Sequence, residues 1–300
     1  MMEAVLPQTQ RRERPGELPP GILVATDGRE QSDAALRAAR RLVANGPLGV
    51  LTVLPPHAIR DASEFGESAE LLDAIARQTL VEAQLRRVLG EGGDAWIEVR
   101  SGYPPALLAA SAATHRALLV VGIGRPRVMD RLRGDESALR VIREARTPVL
   151  AVAECSEIPP RRLVLAMDFS DTSLAAARLA LGMAAPRAEV IVAHVAPRPS
   201  EIAWGSTAVA YRGDPTTALE NTMRQISRPY DVRVRSVVAH GDVASELLEL
   251  AARERADLMA IGAHGHGPAS RIAIGAVTTR VVRCATCSVL VAPRGAASND

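Results

Sequence analysis

Three glycines near the C-terminal end of the chain have the spacing of a phosphate-binding loop. Gly262, Gly265 and Gly275 lie between the apolar run Asp257–Ile261, which predicts a buried strand, and a helical pattern over Val277–Cys284. Glycine lets a backbone approach a ligand closely. A glycine-rich connection from a strand to a helix also directs N–H groups outward, which suits an anion. The pattern therefore predicts an anion site in this loop.

Two common nucleotide motifs are excluded by the composition and position of the loop. A Walker loop needs Lys followed by Ser or Thr after a glycine, and neither follows here. A dinucleotide fingerprint lies after the first strand of its domain, whereas this loop follows the fourth. Plain turn chemistry is the alternative explanation of the three glycines, and their strand-to-helix context favours the anion site.

An aspartate follows the first predicted strand of each half of the chain. Asp27 follows Ile22–Thr26, and Asp168 follows Leu163–Met167. Ligands bind at the carboxyl ends of strands in open α/β sheets, so both carboxylates are candidate contacts. Capping of the next helix is a second role that they could fill at the same time. His194, also at a strand end, is expected to be a structural histidine.

The remaining cysteines and histidines give weaker signals. Cys284 and Cys287 form a Cys-x-x-Cys motif that ends a helix instead of opening one, so two semi-buried structural side chains are expected. His264 and His266 could contact a phosphate or bind a metal. A metal site is not predicted, because the motif lacks a neighbouring cysteine or carboxylate pair.

Apolar runs alternate with helical patterns along the chain, which predicts βαβ units and a parallel sheet. In the first half, strands are predicted at Ile22–Thr26, Leu48–Leu54, Ala95–Val99, Ala117–Val121 and Val149–Val152. Helices are predicted between them at Ala34–Val43, Ser68–Leu89, Pro105–His115 and Glu136–Ala145.

The same order recurs in the second half. Its strands are predicted at Leu163–Met167, Val190–Val195, Val232–Val238, Asp257–Ile261 and Val289–Ala292. Asp168 lies 141 residues after Asp27, and Gly262 lies 140 residues after Gly122. A nearly constant offset indicates an internal duplication. With only two copies, the chain is predicted to contain tandem domains and not a solenoid.

The first copy of the glycine loop is degraded. After Gly122, Arg125 stands where the second glycine is expected, and Asp135 and Glu136 follow Gly134 where phosphate oxygens would lie. Like charges about 4 Å apart cost on the order of 1 kcal/mol in water and 4 kcal/mol near a protein surface. The arginines of this loop could attract an anion instead, although a solvated basic loop is the expected interpretation. We expect this copy to bind phosphate poorly and to act mainly as a structural partner.

Composition limits the class of protein. Hydrophobic residues make up 47% and aromatics only 2%, so aliphatic cores of the kind found in parallel α/β sheets are expected. The formal net charge of +2 gives no case for nucleic-acid binding. Three cysteines cannot form a disulfide framework and favour a reducing compartment. The sequence has neither a secretory signal nor an apolar run of the roughly 18 residues that span a membrane, so a cytoplasmic location without membrane contact is expected.

The predicted fold class is α/β, with two tandem Rossmann-like domains, each a five-stranded parallel sheet flanked by helices. The predicted boundaries are a flexible tail at 1–19, a first domain at 20–153, a linker at 154–161, a second domain at 162–293 and a tail at 294–300.

Residues 20–293 resemble the tandem-domain members of the universal stress protein family, mainly through the second copy. The segments that carry the resemblance are Asp168-Phe-Ser-x-x-Ser173, His194-Val195, Asp257-Leu-Met-Ala-Ile-Gly-Ala-His-Gly265 and Cys287-Ser-Val-Leu-Val291. The spacing of the three glycines is similar to that of the ATP-binding members. The resemblance implies an adenine nucleotide alpha hydrolase-like fold.

The resemblance also implies roles for the matching residues. Asp168 and the backbone of Val195 would face adenine, while Gly262 and Gly265 would lie near the ribose and phosphates. The remaining implied phosphate contacts of the second copy are His266, Gly275, Ala276, Val277 and Thr278. In the first copy, Asp27 would be the counterpart of Asp168, and Gly122 the counterpart of Gly262.

One departure from the family pattern concerns the residue after the third glycine. The family usually has Ser or Thr there, whereas this chain has Ala276. The missing hydroxyl removes a hydrogen bond of roughly 1 kcal/mol, about a fivefold change in affinity. Thr278 could compensate. Weakened binding is therefore expected, and not its loss.

The function implied by the resemblance is that of an ATP-binding regulatory or stress-response protein, not an enzyme, with its main site in the second domain. ADP or AMP could replace ATP, and Mg²⁺ could accompany the phosphates. The last strands of the two copies would pair across a pseudo-twofold axis, and two chains would form a homodimer. Two alternatives stay open: a slow ATPase that uses Asp168 and Ser170, and a nucleotide-free dimerising structural module.

Overall fold

The computed structural model describes residues 21–43, 46–55, 66–90, 95–123, 136–196, 215–265 and 274–293. Strands and helices alternate throughout these ranges. In the first half the strands are β1 (Gly21–Ala25), β2 (Leu48–Leu54), β3 (Ala95–Ser101), β4 (Ala117–Ile123) and β5 (Val149–Ala153). The α-helices are α1 (Asp33–Leu42), α2 (Gly66–Leu89), α3 (Pro104–Thr114) and α4 (Glu136–Glu144).

The second half repeats this order. Its strands are β6 (Arg162–Ala166), β7 (Ala188–Ala196), β8 (Val232–His240), β9 (Leu258–Gly262) and β10 (Ser288–Ala292). Its α-helices are α5 (Asp171–Met183), α6 (Pro215–Ser227), α7 (Val243–Arg253) and α8 (Ala276–Cys284). All ten predicted strands are present within two residues of their predicted ends, because each is an apolar run bounded by turn residues.

All ten strands form one sheet in the order β3-β2-β1-β4-β5-β10-β9-β6-β7-β8. Within each half, neighbouring strands are parallel, which confirms the α/β class with two Rossmann-like units. The halves join where β5 and β10 pair antiparallel, with Leu150 opposite Leu290. This junction, called the seam below, is the pairing of last strands that the family resemblance implies.

Helices cover both faces of the sheet. One apolar cluster packs α1, α2, α5 and α6 against one face, and a second packs α3, α4, α7 and α8 against the other. Each cluster contains strand residues from both halves, so the core continues across the seam. None of the helices in the described ranges has the length and apolar character needed to cross a membrane.

Candidate functional site

A cavity of about 280 Å³ lies at the carboxyl edge of the sheet in the second half. It opens where β6 and β9 are neighbours, which is the point where the chain reverses its direction of travel across the sheet. Open α/β sheets bind ligands in the crevice at such a point. The volume is close to the lower limit of roughly 300 Å³ for small-molecule pockets.

Apolar side chains form most of the cavity wall. They belong to Ala166, Met167, Ala193, Val195, Val243, Leu247 and Ile261, from the ends of three strands and the start of α7. A wall of this kind suits a flat apolar group such as a purine base, because binding removes apolar surface from water. Val195, which was predicted to face adenine, is therefore at the cavity.

Asp168 lies at the cavity and is oriented by the start of α5. Its Oδ1 accepts hydrogen bonds from Ser170 N at 3.0 Å and from Ser170 Oγ at 2.5 Å. Ser170 itself is the N-cap of α5, since its Oγ accepts a hydrogen bond from Ser173 N at 3.2 Å. The capping role considered for Asp168 thus belongs to Ser170, which is two residues closer to the helix.

The turn between Asp168 and Ser170 is strained. Phe169 has a φ of 65°, a left-handed conformation that bulky residues rarely adopt. Its ring packs against the ring of His194 at a centroid distance of 5.3 Å. His194 Nδ1 lies 2.8 Å from Met167 O, which makes it the structural histidine that was predicted. Backbone strain of this kind clusters at functional sites, and here it lies next to Asp168.

Gly262 is required by backbone packing inside the protein, and Gly265 leaves room for the present position of the Asp168 carboxylate. A Cβ on Gly262 would collide with Thr172 Oγ1 and lie 2.9 Å from Ser173 N. A Cβ on Gly265 would lie 2.7 Å from Asp168 Oδ2. Both glycines therefore let the end of β9 pack against the turn that carries Asp168, whether or not a ligand is bound.

Gly275 is different, because the described protein contacts do not require glycine there. A Cβ would lie 3.4 Å from Ala263 O, and the φ of −61° is open to any residue. Helix α8 begins immediately afterwards with Ala276 and has no side-chain cap. The first N–H groups of a helix have no intrahelical acceptor and form a natural anion site. Gly275, Ala276 and Val277, the predicted phosphate contacts, all line the cavity.

The hydroxyl of Thr278 has a structural role. It donates a hydrogen bond to Gly262 O at 2.8 Å in a buried contact that holds α8 against β9. Because this bond uses the only hydroxyl proton, Thr278 does not offer a phosphate the donor that Ala276 lacks. His266 falls outside the described residues, as do Arg125, Gly134 and Asp135 of the degraded first-half loop.

The corresponding edge of the first half contains a larger side chain. Leu51 in β2 and Ala193 in β7 occupy equivalent positions in the two halves. The strand pairing shows this, because Leu23 pairs with Gly49 in the first half and Val164 pairs with Ile191 at the equivalent place in the second. Leu51 is fully buried in the cluster that also contains Leu108. A leucine therefore fills space that an alanine leaves open in the second half. Aligning the two copies of this strand would have revealed the difference from the sequence.

Asp27 and Gly122 retain the local structure of their counterparts. Asp27 Oδ1 accepts a hydrogen bond from Arg29 N at 3.1 Å, as Asp168 does from Ser170 N. A Cβ on Gly122 would lie 2.9 Å from Gln31 O, so this glycine is also required by packing. The first half therefore keeps the turn at Asp27 and the close packing at Gly122, although its loop is expected to bind phosphate poorly.

The expectation of two semi-buried cysteines holds for Cys287 and is wrong for Cys284, because α8 ends at Cys284 on the protein surface. Cys287 is buried, and desolvation raises the pKa of its thiol to about 12. Cys284 is exposed at the end of α8. Among the residues that the structure describes, no three His, Cys, Asp or Glu side chains are grouped to hold a metal ion.

Comparison with known proteins agrees with this architecture. The sequence profile of the universal stress protein family matches residues 21–153 and again residues 160–293. The universal stress protein MJ0531 of Methanocaldococcus jannaschii is 30% identical over 138 residues, which cover 44% of this chain and 81% of the relative.

Solved structures are similar over nearly the whole length. A universal stress protein from Archaeoglobus fulgidus aligns with a TM-score of 0.59 and 20% identity, covering 92% of this chain and 96% of its own. PA1789 of Pseudomonas aeruginosa, a protein of unknown function, aligns with a TM-score of 0.59 and 16% identity, covering 92% of each chain. At these identities the likeness concerns the fold alone. The two profile matches cover most of the sequence, and the chain belongs to the universal stress protein family.

Proposed function

We propose that the protein is a regulatory or stress-response protein that binds an adenine nucleotide in the cavity of its second half. One observation carries the proposal: an apolar cavity at the β6/β9 edge ends at the uncapped N-terminus of α8. A nucleotide has the matching chemistry, a flat base at one end and anionic phosphates at the other. ATP, ADP and AMP share both features, and Mg²⁺ would accompany the longer phosphate chains.

The residues present fit this ligand. The apolar walls would hold the base, with Asp168 and the backbone of Val195 at its edge. The N–H groups of Ala276 and Val277 would bind phosphate oxygens, because they belong to the first turn of α8. Glycine at position 275 would leave room for the ligand, which supplies the reason for this glycine that protein packing does not.

A binding role is favoured over catalysis. Asp168, the carboxylate at this cavity, is held on one oxygen by both the N–H and the hydroxyl of Ser170. These hydrogen bonds fix the orientation of the carboxylate, which suits it to contact a bound ligand. Binding would stabilise one arrangement of α7, α8 and the glycine loop, and so alter the surface offered to a partner.

The test is equilibrium dialysis of labelled ATP with the full chain and a matched pair of variants. Asp168→Ala and Asp27→Ala each remove a carboxylate that accepts a hydrogen bond from the N–H two residues later. We expect one nucleotide per chain, weaker binding in Asp168→Ala and unchanged binding in Asp27→Ala. Urea unfolding of both variants controls for loss of structure. Two nucleotides per chain, equal losses in both variants, or no binding at millimolar ATP would contradict the proposal.

The proposal includes a homodimer, which the family resemblance implies, and a cytoplasmic location, which the sequence composition favours. Light scattering coupled to gel filtration, with and without nucleotide, measures the mass of the particle and so tests the homodimer. A particle with the mass of a single chain under both conditions would reject the homodimer. Nucleotide that co-purifies with the native protein, identified by mass spectrometry, would name the ligand.

A further inference from the structure

Two helices that flank the cavity are joined by a charged side chain. Arg280 on α8 donates hydrogen bonds to Asp242 Oδ1 at 2.6 Å and to Ser245 Oγ at 2.9 Å. Asp242 is also the N-cap of α7, because its Oδ1 accepts a hydrogen bond from Ser245 N at 2.9 Å. These three residues, called the α7–α8 clamp below, hold the first turn of α7 to α8.

The clamp lies next to the helical turns that line the cavity, because Asp242 caps α7 and Arg280 is one turn after the start of α8. Val243 and Leu247 of α7 form part of the apolar wall, and Ala276 and Val277 begin α8 at the proposed phosphate end. The distance between α7 and α8 therefore sets the width of the cavity. A side chain that fixes this distance also fixes how well the two ends of one ligand fit at the same time.

The two halves of the molecule differ at the clamp. Gly102 and Gly241 both follow the third strand of their half with a positive φ, of 144° and 147°. This match aligns Tyr103 with Asp242, and Ala106 with Ser245. The arginine is kept in both halves, as Arg140 and Arg280, but its two acceptors occur only in the half that contains the described cavity.

We propose that Arg280 is a positioning residue for the nucleotide site, which raises ligand affinity by holding α7 and α8 at the spacing that the ligand needs. The proposal rests on the proposed function of the cavity. The side chains of Arg280 and Asp242 are 51% and 60% exposed, so the pair is partly screened by solvent. Exposed pairs of this kind change an equilibrium by about two- to fivefold, and salt weakens them.

Asp242 is ionised under ordinary conditions. Hydrogen bonds from Ser245 and then the charge of Arg280 outweigh desolvation and lower the pKa of this carboxyl group below its usual value. The clamp is therefore formed at neutral pH, and salt is the suitable variable with which to weaken it.

Four variants of the full chain separate the clamp from its neighbours. Arg280→Ala removes the donor, and Arg280→Lys keeps the charge without the two-pronged geometry. Asp242→Asn keeps a good N-cap for α7 but removes the negative charge. Arg140→Ala removes the equivalent arginine of the first half and is the matched control. The affinity for labelled ATP is measured at about 50 mM and about 500 mM salt.

We expect Arg280→Ala and Asp242→Asn each to weaken binding about two- to fivefold at low salt, because each breaks the same pair. The double variant should be no weaker than either single variant. Arg280→Lys should recover part of the loss, and Arg140→Ala should bind like the wild type. All differences should shrink at high salt. A residue that only supported the fold would not produce this salt dependence.

Hydrogen exchange of the nucleotide-free protein tests the clamp independently of ligand binding. The first turns of α7 and α8 should exchange faster in Arg280→Ala than in the wild type. Wild-type affinity in Arg280→Ala at low salt would overturn the proposal. If the wild type binds no nucleotide, the proposed function fails, and hydrogen exchange then decides about the clamp alone. Unchanged exchange in Arg280→Ala would reject the clamp as well. Faster exchange in that variant would support the control of helix spacing by the clamp.

Discussion

Ala276 is the residue at which this chain departs most clearly from the family pattern, and it is open to a direct test. It is exposed at the first position of α8 and lines the cavity. Ala276→Ser would place a hydroxyl beside the proposed phosphates, and we expect affinity for ATP to rise about fivefold. Dialysis measures the change, with Ala285→Ser at the other end of α8 as control. The hydroxyl of Thr278 already donates to Gly262 O, so it does not make the added hydroxyl redundant. An unchanged affinity for ATP would therefore contradict a phosphate at the start of α8.

The thiols make a second prediction at the scale of single residues. Burial raises the pKa of Cys287 to about 12, so at pH 8 this thiol stays protonated. Alkylating reagents attack the thiolate, so iodoacetamide should modify exposed Cys284 in the native protein and Cys287 only after unfolding. Peptide mass spectrometry of samples treated with and without urea compares the two sites. Equal native labelling would contradict the structural role assigned to Cys287.

At the scale of elements, α2 is anchored to the end of β1 by Gln84. This buried amide accepts a hydrogen bond from Thr26 Oγ1 at 2.6 Å and donates to Arg29 O and Asp33 Oδ1, both at 2.7 Å. Gln84→Ala leaves these buried groups without their hydrogen bonds to the amide. We therefore expect the free energy of unfolding to fall by about 2–3 kcal/mol.

Urea unfolding of Gln84→Ala provides the measurement. Gln78→Ala, on the exposed side of the same helix, is the matched control, because its described hydrogen bond is only to Glu82. It should change stability by less than about 0.5 kcal/mol. Similar losses in the two variants would show that the buried network does not anchor α2.

The same anchor predicts a pH dependence. Burial alone would raise the pKa of Asp33, but hydrogen bonds from Arg87 and Gln84 and the charge of Arg87 outweigh it and lower the pKa below its ordinary value of 3.8. A lowered carboxyl pKa contributes stability that is present above the ordinary value and is lost as the pH falls below it. Asp33→Asn should therefore be destabilised at pH 7, and its deficit should narrow near pH 3. A deficit that is equal at both pH values would contradict this.

Elements and contacts differ in how far the sequence predicts them. Strands and helices followed from local apolar patterns, and the glycine spacing located the cavity edge, because both signals lie within short segments. The Arg280–Asp242 pair joins residues 38 positions apart, and Gln84 resembles a surface position in a helical pattern. Such contacts depend on how helices pack, which local periodicity does not determine.

At the scale of the whole molecule, the duplication has produced halves of one structure with different interiors. Leu51 fills the position that Ala193 leaves open, so Ala193→Leu should close the cavity and abolish nucleotide binding. The reverse change, Leu51→Ala, should cost about 2–5 kcal/mol of stability, because it leaves a cavity in a packed core. Dialysis and urea unfolding measure the two effects. Undiminished binding by Ala193→Leu would place the ligand elsewhere.

The seam should make the two halves unfold as one cooperative unit. Leu150 of β5 and Leu290 of β10 are opposite each other and completely buried, and both apolar clusters run through this junction. We therefore expect a single calorimetric transition with a calorimetric-to-van't Hoff enthalpy ratio of about 1. A ligand bound only in the second half should raise the melting temperature of the whole transition, because stabilising one part of a cooperative unit stabilises all of it. Two peaks, of which ATP shifts only one, would show that the halves unfold separately and that the seam is a contact between independent domains.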